Sequence, residues 1–297
     1  MFRTRAQRWL LLAALVVAWP ASAAAQAINA DPHRESIDPS QQPWSAIGKL
    51  YNETGASCSG VVIAHDKVLT AAHCVFNPRT RQFIATEALH FLVGYHMGKY
   101  SAHARVAIYQ IGTNFDPQRY GDTSDGDWAV LTLTERLPGE IVPMKFRAEL
   151  ETAGTKAVMV GYPQDRAHAP TADSDCELRH NLSAGRLILH TCRGVNGYSG
   201  APILVRTAAD ELQIAGIQIA RIESGGTSLM LAVPAPAIAR ADLAAVKARA
   251  EREPTRAAAA TSSAAVTSKP LDDVRPLSAR PADDQATAAL LAAIAAI

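Results

Sequence analysis

No charge of either sign dominates this 297-residue sequence: 29 Lys and Arg stand against 28 Asp and Glu, and neither sign gathers into a long run. That balance excludes nucleic acid or an anionic membrane surface as the main partner, because both call for a basic patch. No apolar run reaches the ~20 residues that spanning a bilayer requires, so no stable membrane insertion is expected. The four cysteines, Cys58, Cys74, Cys176 and Cys192, include no pair at the close spacing of a zinc site. Neither a metal nor any other cofactor is expected. No internal repeat is visible either.

What is present begins with an address. Arg3, Arg5 and Arg8 precede an unbroken apolar stretch, Trp9 to Trp19, and small residues follow at Ala21-Ser22-Ala23 and Ala25-Gln26-Ala27. This layout predicts a signal peptide over residues 1–27 and a secreted or periplasmic protein. Export lets the cysteines oxidise. Of the three connectivities open to them, Cys58–Cys74 and Cys176–Cys192 are expected, each closing a short loop that contributes ~3 kcal/mol in the chain-entropy model.

A polar lead over residues 28–43 reads as extended or mobile. From Trp44 the chain turns to short apolar runs rich in β-branched residues, broken by Gly, Pro and Asp, as far as about Val233. Ala46–Leu50, Gly60–Ala64, Val68–Thr70, Leu89–Val93, Val106–Ile111, Ala129–Leu133, Lys156–Val160, Arg186–His190, Pro202–Val205 and Leu212–Ile219 are examples of the expected strands. Strands this closely spaced indicate an all-β barrel or sandwich. Pro236 to about Arg252 has helical spacing, with Ile238, Leu243 and Val246 on one face. Residues 253–297, rich in Ala, Ser, Thr and Pro, bury too little surface to offset their ordering entropy and read as a disordered tail.

Three stretches carry chemistry. In TCRGVNGYSGAP, Thr191 to Pro202, Ser199 is flanked by Gly197 and Gly200. A serine hydroxyl becomes a nucleophile when a base takes its proton and backbone N–H groups receive the oxyanion. The N–H groups of Gly197 and Ser199 are placed for that second task. In SCSGVVIAHDKVLTAAHC, Ser57 to Cys74, a small-residue corner carries His73, a general base held beside Cys74. In DTSDGDWAVLTL, Asp122 to Leu133, Asp127 sits at the mouth of an alternating strand, where a carboxylate fixes the tautomer of a histidine. Asp116, Asp122 and Asp125 lie in polar loops and read as solvated. No histidine follows His190, so the order Ser, Asp, His of an α/β-hydrolase is excluded.

TAAHC, DWAVLTL and GYSGAP, in the order His, Asp, Ser, resemble the secreted serine endopeptidases of the chymotrypsin fold over roughly Trp44 to Arg252. The resemblance implies an all-β protease domain over residues 44–252, built as two packed six-stranded barrels with the site in the cleft between them, followed by a C-terminal helix and the tail. It implies His73 as base, Asp127 as orienter and Ser199 as nucleophile, an oxyanion hole of the Gly197 and Ser199 amides, protein or peptide substrates, and a monomer.

The departures matter as much. The residue before the serine is Tyr198 where digestive members usually have Asp, and no IVGG-like sequence follows a basic residue near Arg34. Activation through a freshly cut chain end is therefore not expected. The interval from Cys192 to Ser199 resembles that of bacterial glutamyl endopeptidases. The segment before Ser199 and GIQIAR, Gly216 to Arg221, would line the specificity pocket. They hold no carboxylate to receive Lys or Arg. Arg193, Gln218 and Arg221 are the candidates for receiving an acidic side chain; otherwise Ile219 and Ala220 line a neutral pocket for small or apolar residues. The histidine that glutamyl endopeptidases usually place near Gln218 is missing from this stretch. A different class, a non-catalytic exported binding protein on the same fold, is kept open by Tyr198.

Overall fold

The computed structural model describes residues 33–53, 55–224 and 227–240. The expected signal peptide, the part of the expected helix beyond Arg240, and the tail lie outside the described residues. The chain begins with a short strand, β1 (Arg34–Ser36), and then builds β2 (Ile47–Asn52), β3 (Ser57–Ala64) and β4 (Lys67–Thr70). A small side hairpin follows, β5 (Phe76–Asn77) with β6 (Gln82–Phe83), and then β7 (Leu89–Val93), β8 (Ala102–Ile111), one helical turn, α1 (Tyr120–Thr123), and β9 (Ala129–Leu133). Six of these close into an antiparallel barrel in the order β2-β3-β4-β9-β8-β7.

The second half contains β10 (Lys156–Gly161), β11 (Thr171–Leu182), β12 (Leu187–His190), β13 (Pro202–Arg206), β14 (Leu212–Ser224), β15 (Thr227–Pro234) and the helix α2 (Ala235–Arg240). Its strands run β11-β10-β13-β14-β15-β12, and the β11–β12 pairing closes them into a second six-stranded barrel. β1 adds to the outer edge of β11, with Arg34 opposite Asp173.

Period-two patterning explains the walls. In β7, Leu89, Phe91 and Val93 are buried while His90 and Leu92 face outward. Each buried Leu, Ile, Val or Phe contributes about 1.5–3 kcal/mol of transfer free energy. One buried cluster runs through both barrels, from Ile47 and Phe91 to Leu204 and Val233, so the two pack as a unit. A smaller cluster around Met159, Cys176 and Ile203 lies within the second barrel.

Several strands lie outside the runs named from the sequence. Part of the polar lead is a strand added to the second barrel's edge, because β1 finds hydrogen-bond partners on β11. β11 itself, TADSDCELRHNL, is not one of the named runs, and neither are β15 and the side hairpin of β5 and β6. The strand character of β11 is masked by polar residues, of which Asp173 is wholly buried and paired at long range.

Candidate active site

β4 ends at Thr70, and the buried Ala71 and Ala72 let the chain turn tightly into the 3-10 turn Ala72–Val75, which carries His73. A disulfide from Cys74 to Cys58 ties this corner to β3, with an S–S distance of 2.07 Å. The second disulfide joins Cys176 to Cys192, so the pairing is the expected one. The Cys58, Cys74 and His73 ligand atoms lie within 4.8 Å of one another, but both sulfurs are consumed by the disulfide and offer no thiolate to a metal.

Asp127 follows a second 3-10 turn, Ser124–Gly126, and is fully buried. Its Oδ1 accepts the His73 backbone N–H at 2.8 Å, and its Oδ2 lies 2.7 Å from Nδ1 of the ring. One carboxylate thus fixes both the main chain and the imidazole. A carboxylate only accepts, so Nδ1 carries the proton and Nε2 is left as the ring's acceptor. Burial works against a charge on His73, but the charge and hydrogen bond of Asp127 outweigh it, and the imidazole pKa lies above its usual value.

Tyr120, the first residue of α1, donates its hydroxyl to Asp127 Oδ2 at 2.7 Å and lies 3.3 Å from the Ile219 carbonyl oxygen. Its own pKa is driven far up by burial and by Asp127, which keeps it a donor. Asp125, read as solvated, is instead paired with Arg186 at 2.8 Å and has a side chain only 9 % exposed.

The Ser199 segment is two consecutive turns. Tyr198 N–H bonds Val195 O at 3.2 Å and Ala201 N–H bonds Tyr198 O at 2.8 Å. The third residue of each is a glycine at positive φ, Gly197 at 97° and Gly200 at 76°, a conformation that glycine adopts at no steric cost. Both also sit where a Cβ has no room. One at Gly197 would lie 2.4 Å from Tyr162 O, and one at Gly200 would lie 2.2 Å from Thr70 Oγ1 and 2.8 Å from Ala71 N. The serine turn therefore abuts the root of the His73 corner.

Ser59 of β3 fastens the two barrels together at this point. Its N–H donates to Ser199 O, its Oγ donates to Gly197 O, and its Oγ accepts from Tyr162 N–H, each at 2.8 Å. The Gly197 and Ser199 amides are not engaged by any hydrogen bond among the described residues. No hydrogen bond joins Ser199 Oγ to His73 among the described residues; in substrate-free enzymes such bonds are commonly long and tighten only in the complex.

A cavity of about 550 Å³ opens beside Ser199, with Val195, Gln218, Ile219, Ala220, Arg221 and Met230 on its walls. Gln218 and Arg221, two of the three pocket candidates, thus line this cavity. Arg193 is not on the cavity wall: its Nη2 bonds Asp173 Oδ1 at 3.0 Å and its Nε bonds Oδ2 at 3.2 Å, a fork on a fully buried carboxylate. Asp165, which carries no motif of its own, does line the cavity.

A histidine also stands beside Gln218, although not from its own strand. His190 of β12 is wholly buried, and its Nε2 lies 2.7 Å from Gln218 Oε1. The amide oxygen accepts, so Nε2 carries the proton and Nδ1 keeps its lone pair, without a partner among the described residues. Burial pushes this pKa down to about 4, and the imidazole is neutral near pH 7.

The family model described as Trypsin matches residues 33–227, beginning ahead of the boundary expected at Trp44. A solved structure of a Glu endopeptidase is similar over 69 % of this chain and 92 % of its own, with a TM-score of 0.58 and 22 % identity. No curated protein matches the chain.

Proposed function

The chain belongs to the trypsin family, and on that premise we propose that it is an exported serine endopeptidase, monomeric, that hydrolyses protein or peptide substrates through an acyl-enzyme on Ser199. The observation that carries the reading is the double engagement of His73 by the buried Asp127 carboxylate. That arrangement leaves Nε2 as the ring's acceptor, on a corner that abuts the Ser199 turn, where Gly197 and Gly200 are at positive φ. His73 takes the proton as Ser199 Oγ adds to the scissile carbonyl carbon, and Asp127 stabilises the imidazolium. The Gly197 and Ser199 amides receive the oxyanion. Collapse of the adduct expels the amine, which takes the proton from His73, and water repeats the sequence in reverse roles to free the acid. The two disulfides accord with an extracellular setting, and no described helix is long and apolar enough to cross a membrane.

For the residue preceding the cut, the cavity walls favour a small or apolar side chain. Met230 is folded against Gly194, where a Cβ would lie 2.2 Å from its Cε, and Val195, Ile219 and Ala220 are neutral. Withdrawal of Arg193 onto Asp173 removes one of the two guanidinium groups that an acidic residue would use. Arg221 on the wall supports the second reading, an acidic residue. Labelling of the purified protein by a fluorophosphonate, lost in Ser199→Ala, tests the hydrolase against a non-catalytic binding protein. Peptides differing only in Ala, Leu, Glu or Arg before the scissile bond test the pocket. Ala or Leu cleaved best is expected, Glu best would favour Arg221, and Arg best would refute both readings.

A further inference from the structure

An oxyanion hole works only if its N–H groups already point at the developing charge. The Gly197 N–H belongs to the planar Asn196–Gly197 peptide, whose C=O and N–H point opposite ways. What holds that carbonyl therefore aims the amide. Asn196 O accepts the Gln164 N–H at 2.7 Å, from the loop after β10.

That loop is in turn held by a residue 131 positions away in sequence. Arg34 on β1 donates Nη1 to Asp165 Oδ1 at 3.0 Å and Nη2 to Oδ2, with its side chain 4 % exposed. Arg166 Nη1 returns a bond to Arg34 O at 3.0 Å. A second arm reaches the other flank of the same peptide. Tyr198, the residue between Gly197 and Ser199, has its hydroxyl bonded to Thr171 Oγ1 on β11, and Thr171 is the strand partner of Ser36 on β1; the Arg34 guanidinium acts electrostatically on the same hydroxyl. β1, with its buried forked cation, thus bears on both sides of the turn.

We propose that Arg34 is the positioning residue of the oxyanion hole: docked on β11 through β1, it fixes the 164–166 loop and Tyr198, and through them the Gly197 amide. The clamp needs no newly cut chain end. It follows that the segment ahead of Trp44 is part of the working enzyme. This rests on the hydrolase reading above.

The experiment uses the full mature chain. A nitrophenyl-ester burst counts competent Ser199 sites, and kcat per counted site is measured on a peptide anilide, alongside inhibition by a peptide aldehyde whose adduct needs the oxyanion hole. Arg34→Ala is expected to lower kcat per site about 10–100-fold, a fraction of what removing one oxyanion donor costs. Aldehyde affinity should fall in parallel, with KM within about twofold and the pH midpoint set by His73 unmoved. Arg34→Lys, which keeps the charge but not the fork, should fall between.

Wild-type kcat per site in Arg34→Ala would overturn the proposal, and so would a loss confined to the number of counted sites, the mark of a purely structural role. If Arg34→Ala does not fold, Asp165→Asn decides, since it keeps Arg34 and β1 and cuts only the loop arm. About a tenfold fall in kcat and aldehyde affinity is expected there, and no fall would overturn the proposal. Wild-type protein that takes up no fluorophosphonate would overturn the hydrolase reading and this one with it, whereas active wild type with unaffected variants overturns this one alone.

Discussion

His73 in the first barrel and His190 in the second are held by one short side-chain contact each, 2.7 Å in both cases, yet they titrate in opposite directions. Burial disfavours the charged ring in both. At His73 the Asp127 carboxylate more than offsets that cost, and the pKa rises. At His190 the partner is the neutral Gln218 amide, burial wins, and the pKa falls to about 4. Protonation there would also place an N–H at Nδ1, which has no acceptor among the described residues. The partner's charge, more than the depth of burial, decides which histidine can take up a proton. Of the two, the first has the surroundings that the proposed role requires, a base that becomes a cation in mid-reaction.

The largest effect should come from removing the charge in the first barrel. Asp127→Asn keeps the shape but offers an amide in place of the carboxylate, so the ring is no longer held with Nδ1 protonated. A fall of about 10⁴ in kcat is expected, as for loss of a triad carboxylate in general. The His73 pKa should drop below its usual value, because burial then acts alone, like that of His190. Turnover within tenfold of wild type would detach His73 from Asp127 as a functional pair.

The reverse exchange belongs in the second barrel. Gln218→Glu gives His190 the carboxylate it lacks, and the ring resonance should titrate about two pH units higher by NMR. Stability should follow. In the wild type the unfolded ring takes a proton near pH 6.5 that the folded ring refuses until about 4, so stability is lost as pH falls through that window, up to about 3 kcal/mol in full. His73 has the opposite sign. Its raised pKa contributes stability that is present below the unfolded value and lost as pH rises through the folded one, the same rise that switches the base on. Denaturant melts at pH 5 and 7 should show a smaller acid loss in Gln218→Glu than in wild type. An unmoved resonance near pH 4 would mean that burial alone governs the site.

The two barrels were also unequally legible in sequence. The His73 corner and the strand opened by Asp127 are local: a run of small residues before a histidine, and alternation after an aspartate, each within about a dozen residues. An all-β barrel or sandwich followed from spacing of that kind, and the two barrels from the family resemblance alone. The second barrel's part of the site is non-local. β11 hides its period because Asp173 is buried against Arg193, 20 residues on. The same pairing withdrew Arg193 from the pocket that its position ahead of Ser199 had suggested. Asp165 is joined to Arg34 across 131 residues, and His190 reaches Gln218 across 28. Polar pairings of that span leave no periodic trace, so only the fold discloses them. Tyr120 is a middle case, seven residues before Asp127 but in a polar loop where a tyrosine carries no motif.

Tyr120 gives the smallest and most discriminating test of the comparison. Its hydroxyl donates to the same Asp127 oxygen that faces the His73 ring, both at 2.7 Å, so it shares the charge that raises the His73 pKa. Tyr120→Phe removes that donor and leaves the aromatic ring in place. The carboxylate then acts more strongly on the imidazolium, and the midpoint of the pH profile of kcat/KM should move upward by a few tenths of a pH unit. The orientation of Asp127 is less restrained, so kcat at the plateau should fall about two- to fivefold, in line with losing one hydrogen bond to a charged group that retains its other partners. Downward movement of the midpoint would mean that Tyr120 contributes more by ordering Asp127 than by sharing its charge. The first barrel's histidine would then owe its raised pKa to geometry that the second barrel, through the Ile219 carbonyl 3.3 Å from the same hydroxyl, helps to maintain.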